Sequence, residues 1–206
     1  MIKAGLLPRL SNDVIAIHVE ATPEETEARI LRGVRKHLTV RDDADIREVF
    51  TSLRRGGAPD GKKIVIVLDQ FEQWLHGRQS DMDCELVRAL RQCDGAKLQA
   101  LCLVRDDFAM AASRFMRAME IRIVEGRNFA TVDLFDIPHA KNVLAKFGQA
   151  FGQLTEPLTD LPDEQREFIA TVASGLAQDG QVVSVRIALF AEMVKNKPWT
   201  LATLEE

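Results

Sequence analysis

The sequence predicts an α/β layer sandwich followed by a smaller, all-helical part. Continuous apolar runs, Ile64–Leu68 and Leu98–Val104, suit strands buried on both faces, and they alternate with amphipathic segments that suit helices. The chain has 206 residues, 46% hydrophobic and 28% charged, which is ordinary for a globular protein and too apolar for a disordered one. After Phe135 the extended pattern stops and only helical segments follow.

The elements follow in order. Val14–Val19 is a β-branched apolar run and reads as a strand. Thr22-Pro23-Glu24-Glu25 then carries helix-start signals: Thr22 as cap, Pro23 at the first position, Glu25 as the reciprocal partner. This helix is expected to reach Leu38. Asp42 or Asp43 opens a second one that ends near Arg55, and Gly56–Gly61 (GGAPDG) is a loop. After the Ile64–Leu68 strand, Phe71 and Trp74 are expected to pack a short helix on the sheet. Ser80–Gln92 is amphipathic, with Cys84, Val87 and Leu90 on one face. Leu98–Val104 is the next strand, Phe108–Met119 the next helix, and Ile121–Val124 and Thr131–Phe135 are short extended segments. Pro138 opens a helix to Phe151, Thr155–Leu161 is a loop, and Glu164–Ala177 and Val185–Lys195 are helices, the last stopped by Pro198. The expected division is an α/β core over 1–136, a helical part over 137–197, and a stub of a further module over 198–206.

Composition removes several function classes. Net charge is -4, from 27 basic and 31 acidic residues, so no basic surplus is present to neutralise nucleic-acid phosphates. Cys84, Cys93 and Cys102 are odd in number and lack CxxC or Cys/His metal spacing. Neither a disulfide framework nor a zinc site is expected, and a reducing, cytoplasmic compartment fits. His18, His37, His76 and His139 are scattered, with no second ligand at helical spacing. Apolar runs end after about five residues, too few for a membrane span. The start, MIKAGLLPRL, is broken by Pro8 and Arg9 and does not read as a signal peptide.

Chemistry concentrates in two stretches. In Lys62–Leu75, KKIVIVLDQFEQWL, the apolar strand ends in Asp69, and Glu72 follows three positions on. Ligands of open α/β sheets bind beyond the carboxyl ends of the strands. A carboxylate there can hold the water shell of a Mg²⁺ ion on nucleotide phosphates, and Glu72 can orient or deprotonate the attacking water. The plainer reading is a capping Asp at the end of a buried strand. In Leu98–Phe108, LQALCLVRDDF, a second strand ends near Arg105. If the strands are neighbours, its guanidinium shares the rim with Asp69 and can contact a phosphate. The plainer reading is that Asp106 or Asp107 caps the next helix while Arg105 pairs locally.

Together with KAGLLPRL, VEATPEETEARILRGVRK, LRQCDG and VRIALFAEMVKNKPWT, in this order, these stretches resemble the NTPase module of STAND-class signalling ATPases. The resemblance is nearest to the novel STAND branch of large bacterial proteins that also carry Ser/Thr kinase or repeat domains. It implies a P-loop NTPase-like parallel sheet with a helical lid, acting as an ATP- and Mg²⁺-dependent conformational switch. Asp69 would hold Mg²⁺ through water, Glu72 and Arg105 would serve catalysis, and Arg186 would reach the nucleotide from the lid. The other reading of Arg186 is a surface arginine on a helix whose apolar face is Val185, Ala188, Leu189 and Met193. Partners implied are the nucleotide, other domains of a larger signalling protein, and copies of the chain in an oligomer.

The resemblance also implies a P-loop, and G-x-x-x-x-G-K-[ST] does not occur in the chain. Gly56-Gly57 and Gly61-Lys62-Lys63 come nearest, but neither is read as having the Gly spacing, neither has Ser or Thr after the lysine, and the second run precedes a strand whereas a P-loop follows one. By this reading the chain begins about a strand and a loop too late. The strand ending near Arg105 is then left with an open apolar edge that invites aggregation or foreign pairing. Related proteins often carry two acids after the Walker B Asp; here Gln70 and Gln73 leave Glu72 alone. Hydrolysis is not expected from these 206 residues. The alternative function is a non-catalytic interaction scaffold derived from the same fold. A phosphatase-like reading fails because Asp69-Gln70-Phe71-Glu72 lacks D-x-D.

Overall fold

The computed structural model describes residues 2–77 and 83–204, which divide into two compact units, 1–129 and 130–206. Residues 80–82 of the expected Ser80–Gln92 helix, and 205–206 of the expected stub, lie outside the described residues.

In the first unit, β1 (Val14–Glu20), β2 (Lys63–Asp69) and β3 (Leu98–Cys102) form a parallel sheet in the order β1-β2-β3. Val14 to Glu20 pair with Lys63 to Asp69, and Ile64 to Leu68 pair with Leu98 to Cys102. Parallel neighbours need crossover connections. Helices α1 (Thr26–Arg35) and α2 (Ile46–Arg54) link β1 to β2, and α3 (Glu72–Gly77) and α4 (Glu85–Leu90) link β2 to β3. Successive strand side chains point to opposite faces. Ile17, Val19, Ile64, Ile66, Leu68 and Leu98 meet the buried faces of the helices on one side, including Ile30, Val34, Phe50, Phe71 and Trp74. Phe71 stacks on Trp74 at 5.2 Å and meets Phe115 of α5 (Ala109–Ala118) edge-on at 5.0 Å. On the other face Val65 and Val67 are covered by Ile2, Leu6 and Leu7, from the two short helical turns over Ile2–Arg9.

Helix starts differ from the expected ones for local reasons. The Thr22 hydroxyl accepts the Glu25 N–H at 3.1 Å, but the reciprocal bond to the Thr22 N–H comes from the Thr26 hydroxyl, at 2.8 Å. Glu25 instead pairs with Arg29 at 3.1 Å, and α1 begins at Thr26. Asp45, not Asp42 or Asp43, caps α2: its carboxylate accepts the Glu48 N–H at 2.7 Å.

The β3 edge is less open than expected. Leu98 N–H donates to the Asp94 carboxylate at 3.1 Å, and the Leu98 carbonyl accepts from the N–H groups of Asp94 (3.0 Å) and Gly95 (2.9 Å). The 94–97 turn thus takes up the polar groups of Leu98, the first residue of the edge. Ile121–Val124 and Thr131–Leu134 form no ladder; Ile121, Val124, Val132 and Leu134 are exposed. An apolar extended run becomes a strand only where a neighbour takes its N–H and C=O groups. Only β4 (Phe135–Asp136) does so, antiparallel to β5 (Gln181–Val182) in the second unit.

The second unit contains α6 (Ile137–Ala150), α7 (Asp163–Leu176) and α8 (Ser184–Met193). Asp136 caps α6 through the His139 N–H at 2.7 Å, with Pro138 in the first turn. Leu144, Phe168, Ile169, Ile187 and Trp199 form its core. Residues 198–204, expected to start a further module, supply Trp199 to this core: it lies 5.6 Å from the Phe168 ring, and its indole N–H donates to the Val194 carbonyl at 3.2 Å. The face of α8 is a correction. Ile187 and Ala191 are buried, whereas Val185, Leu189 and Met193 are exposed. The helix is apolar on both sides, so its periodicity alone does not choose the buried one. Among the described residues no helix is long and apolar enough to cross a membrane.

Candidate functional site

Because β2 and β3 are parallel neighbours, Asp69, the last residue of β2, and Arg105, three residues beyond β3, leave the sheet at the same rim. The exits are tied together: Leu103 N–H donates to the Leu68 carbonyl and Phe71 N–H to the Leu103 carbonyl, both at 2.9 Å. Between β2 and α3 the chain turns sharply at Gln70, whose φ of 52° is in the left-handed region.

Asp69 is held on both oxygens. Oδ1 accepts the Gln70 N–H at 3.0 Å, and Oδ2 lies 3.0 Å from Nε2 of His18 on β1. The His18 side chain is only 11% exposed and that of Asp69 is 35% exposed. Sequence reasoning assigned His18 no role. The signal was non-local: His18 pairs with Val67 in the β1–β2 register, so His18 and Asp69 share one face of the sheet.

Glu72 opens α3 and is 4% exposed, with no hydrogen-bond partner for its carboxylate among the described residues. Its carboxylate oxygens are not among the fully buried unpartnered polar atoms, so the tip meets solvent while the rest of the side chain is covered. Arg105 forks onto Asp107, with Nε–Oδ1 at 3.1 Å and Nη2–Oδ2 at 2.8 Å. Local pairing of Arg105 is thus present, but neither acid caps α5; Asp106 accepts the Asp107 N–H at 2.9 Å. The pair is solvent-exposed, so it stabilises by only about 0–1 kcal/mol and its guanidinium exchanges partners at little cost. Arg186 is exposed on α8, in the second unit.

Among the described residues no three or more His, Cys, Asp or Glu side chains converge as a metal-ligand group. Asp69 offers one partly exposed carboxylate whose oxygens each keep a second lone pair. That donor set fits a water-mediated Mg²⁺ contact, for which one carboxylate suffices, rather than a protein cage.

The 56–63 loop does carry Gly56, Gly61 and Lys62 at P-loop spacing, with Lys63 where Ser or Thr belongs. It runs from α2 into β2, and the N–H groups of Gly56 and Gly57 turn back to the carbonyls of Leu53 (3.1 Å) and Ser52 (3.0 Å). No helix N-terminus follows it, so the amide cradle and dipole of a P-loop do not form there. The thiols of Cys93 and Cys102 are pushed up to about 12 by burial and remain protonated.

Compared with protein-family models, with curated proteins and with solved structures, the chain matches none.

Proposed function

We propose that the chain is the nucleotide-responsive part of a STAND-like signalling ATPase, a switch that distinguishes states through ATP and Mg²⁺. The observation that supports this reading is an acid and an arginine leaving neighbouring parallel strands at one rim, Asp69 beside the β2–α3 turn and Arg105 beyond β3. In this reading Asp69 holds the water shell of Mg²⁺, and Arg105 exchanges Asp107 for a phosphate. Glu72, at the start of α3 beside the same rim, meets the attacking water. Other domains of a larger signalling protein, or further copies of the chain, receive the signal. Without a phosphate-cradling loop, the 206 residues bind nucleotide weakly and do not turn it over.

The test is titration with a fluorescent ATP analogue, with and without Mg²⁺, on the wild type, Asp69→Ala and Arg105→Gln. Mg²⁺-dependent binding that falls in both variants supports the reading. Equal Mg²⁺-dependent affinity in Asp69→Ala removes Asp69 from the site. ATP turnover that vanishes in Glu72→Gln would overturn the expected lack of hydrolysis.

A second reading, a non-catalytic scaffold, is favoured by one specific observation: the side chains of Asp69 and Arg105 are both engaged internally. Asp69 bonds His18, and Arg105 forks onto Asp107. A soluble, monodisperse protein without nucleotide affinity supports this second reading against the first.

A further inference from the structure

At the opposite end of the sheet from Asp69, an open cleft of about 480 Å³ lies between the end of α2 and the start of β3. It is lined by Thr51, Arg54, Arg55 and Lys97, and it adjoins a larger one of about 770 Å³ that shares Thr51 and Arg55 and adds Arg47 and Gly56. We propose that these two adjoining clefts together bind a small polyvalent oxyanion, a phosphate ester or diphosphate, through Arg55, which lines both, with Arg47 from the larger and Lys97 from the smaller.

The charges on the cleft are unequally committed. Each carboxylate there has a structural task. Asp45 caps α2 through the Glu48 N–H (2.7 Å), and Glu48 pairs with Arg41 at 3.0 Å. Asp94 accepts the N–H groups of Ala96, Lys97 and Leu98 at 2.9, 2.8 and 3.1 Å, and these bonds hold its carboxyl below the usual carboxylate range. The cations are not committed. Among the described residues, the side chains of Arg47, Arg55 and Lys97 make no ion pair or hydrogen bond, and Arg54 has only a long contact, 3.4 Å, to Gln92. A chain of net charge -4 therefore places unpaired positive charge along two adjoining clefts that share Arg55.

Helix electrostatics account for part of this and not for all of it. Arg54 and Arg55 end α2, where a cation offsets the carbonyl end of the macrodipole. Arg47 stands in the first turn of the same helix, where the macrodipole disfavours a cation. It lies on the stripe Arg47, Thr51, Arg55, at i, i+4 and i+8, so both ends of the helix turn a guanidinium to the same side. Lys97 closes the cleft: a Cβ on Gly56 would come within 3.1 Å of its Nζ, and Gly56 has a φ of +94°. Glycine at 56 thus leaves room for the ammonium. Because the Gly56 and Gly57 N–H groups are turned onto α2, recognition here rests on side-chain cations, unlike a P-loop.

The test is titration of ¹⁵N-labelled protein with inorganic pyrophosphate at constant ionic strength, with chloride as control and orthophosphate and sulfate as further arms. Saturable shifts of the Thr51, Gly56, Gly57 and Lys97 amides are expected. Arg55→Gln and Lys97→Gln each weaken binding about tenfold, equivalent to about 1.4 kcal/mol. Arg32→Gln, which removes an exposed cation of α1 that lines neither cleft, leaves it unchanged. The side chains replaced are exposed, and the amide spectrum reports whether each variant folds; Arg55→Lys, which keeps the charge, retains binding. Shifts that never saturate, wild-type affinity in Arg55→Gln and Lys97→Gln, or an equal loss of binding in Arg32→Gln would overturn the proposal.

Discussion

Removing either partner of the His18–Asp69 pair should destabilise the first unit, and removing both should cost less than the sum. The imidazole Nε2 lies 3.0 Å from Asp69 Oδ2, and the His18 side chain is 11% exposed. In Asp69→Ala this nitrogen is left with little water to replace the carboxylate. An orphaned buried polar group costs about 1–3 kcal/mol, and the partial exposure of Asp69 puts the expected loss near the lower end, about 1–2 kcal/mol. Asp69→Asn keeps a carbonyl acceptor and should lose less. His18→Ala loses the same bond plus packing against β2. Residues in direct contact show coupling of about 0.5–3 kcal/mol, so the double variant should fall short of additivity by about 1 kcal/mol. The assay is urea unfolding followed by tryptophan fluorescence. The chain has two tryptophans, one per unit, and a Trp199→Phe background leaves Trp74 as sole reporter of the first unit. Additivity within about 0.3–0.5 kcal/mol would refute the claim that β1 holds the Asp69 carboxylate in place.

Two further outcomes concern packing and reactivity. Gly148→Ala, though a helix-favouring change, should destabilise the second unit. The new Cβ would stand 2.5 Å from Leu154 Cδ1 and 2.9 Å from Trp199 Cζ3. Overpacking of about 1–3 kcal/mol outweighs the gain of about 1 kcal/mol in helix propensity. Thermal unfolding followed at Trp199 checks it, and an unchanged or raised midpoint would refute it. Cys93 and Cys102, with thiols near 12, should resist iodoacetamide between about pH 7 and pH 9 and react only in denaturant. Thiolate, the reactive form, gains population only as the pH climbs toward 12. Mass spectrometry of peptides carrying each cysteine reads this directly, and labelling of either in the folded chain at pH 7 would contradict it.

Local signals in the sequence were enough for the strands β1, β2 and β3 and for most helices. A continuous apolar run flanked by polar residues is a property of a few neighbours, and Ile64–Leu68 is buried on both faces as its composition demands. The rim shared by Asp69 and Arg105 was legible as a conditional expectation, and parallel adjacency of β2 and β3 met the condition. What the sequence could not decide was every choice among partners. Thr26 rather than Glu25 completes the α1 cap, Asp107 takes Arg105, and the extended runs around 121–134 find no strand to pair with. The apolar face of α8 that lies against the core, the burial of Glu72, and the meeting of His18 with Asp69 across 51 positions are tertiary outcomes. Periodicity tells a side chain which face it shares. Only the packed neighbours, brought together from distant parts of the chain, determine what that face meets.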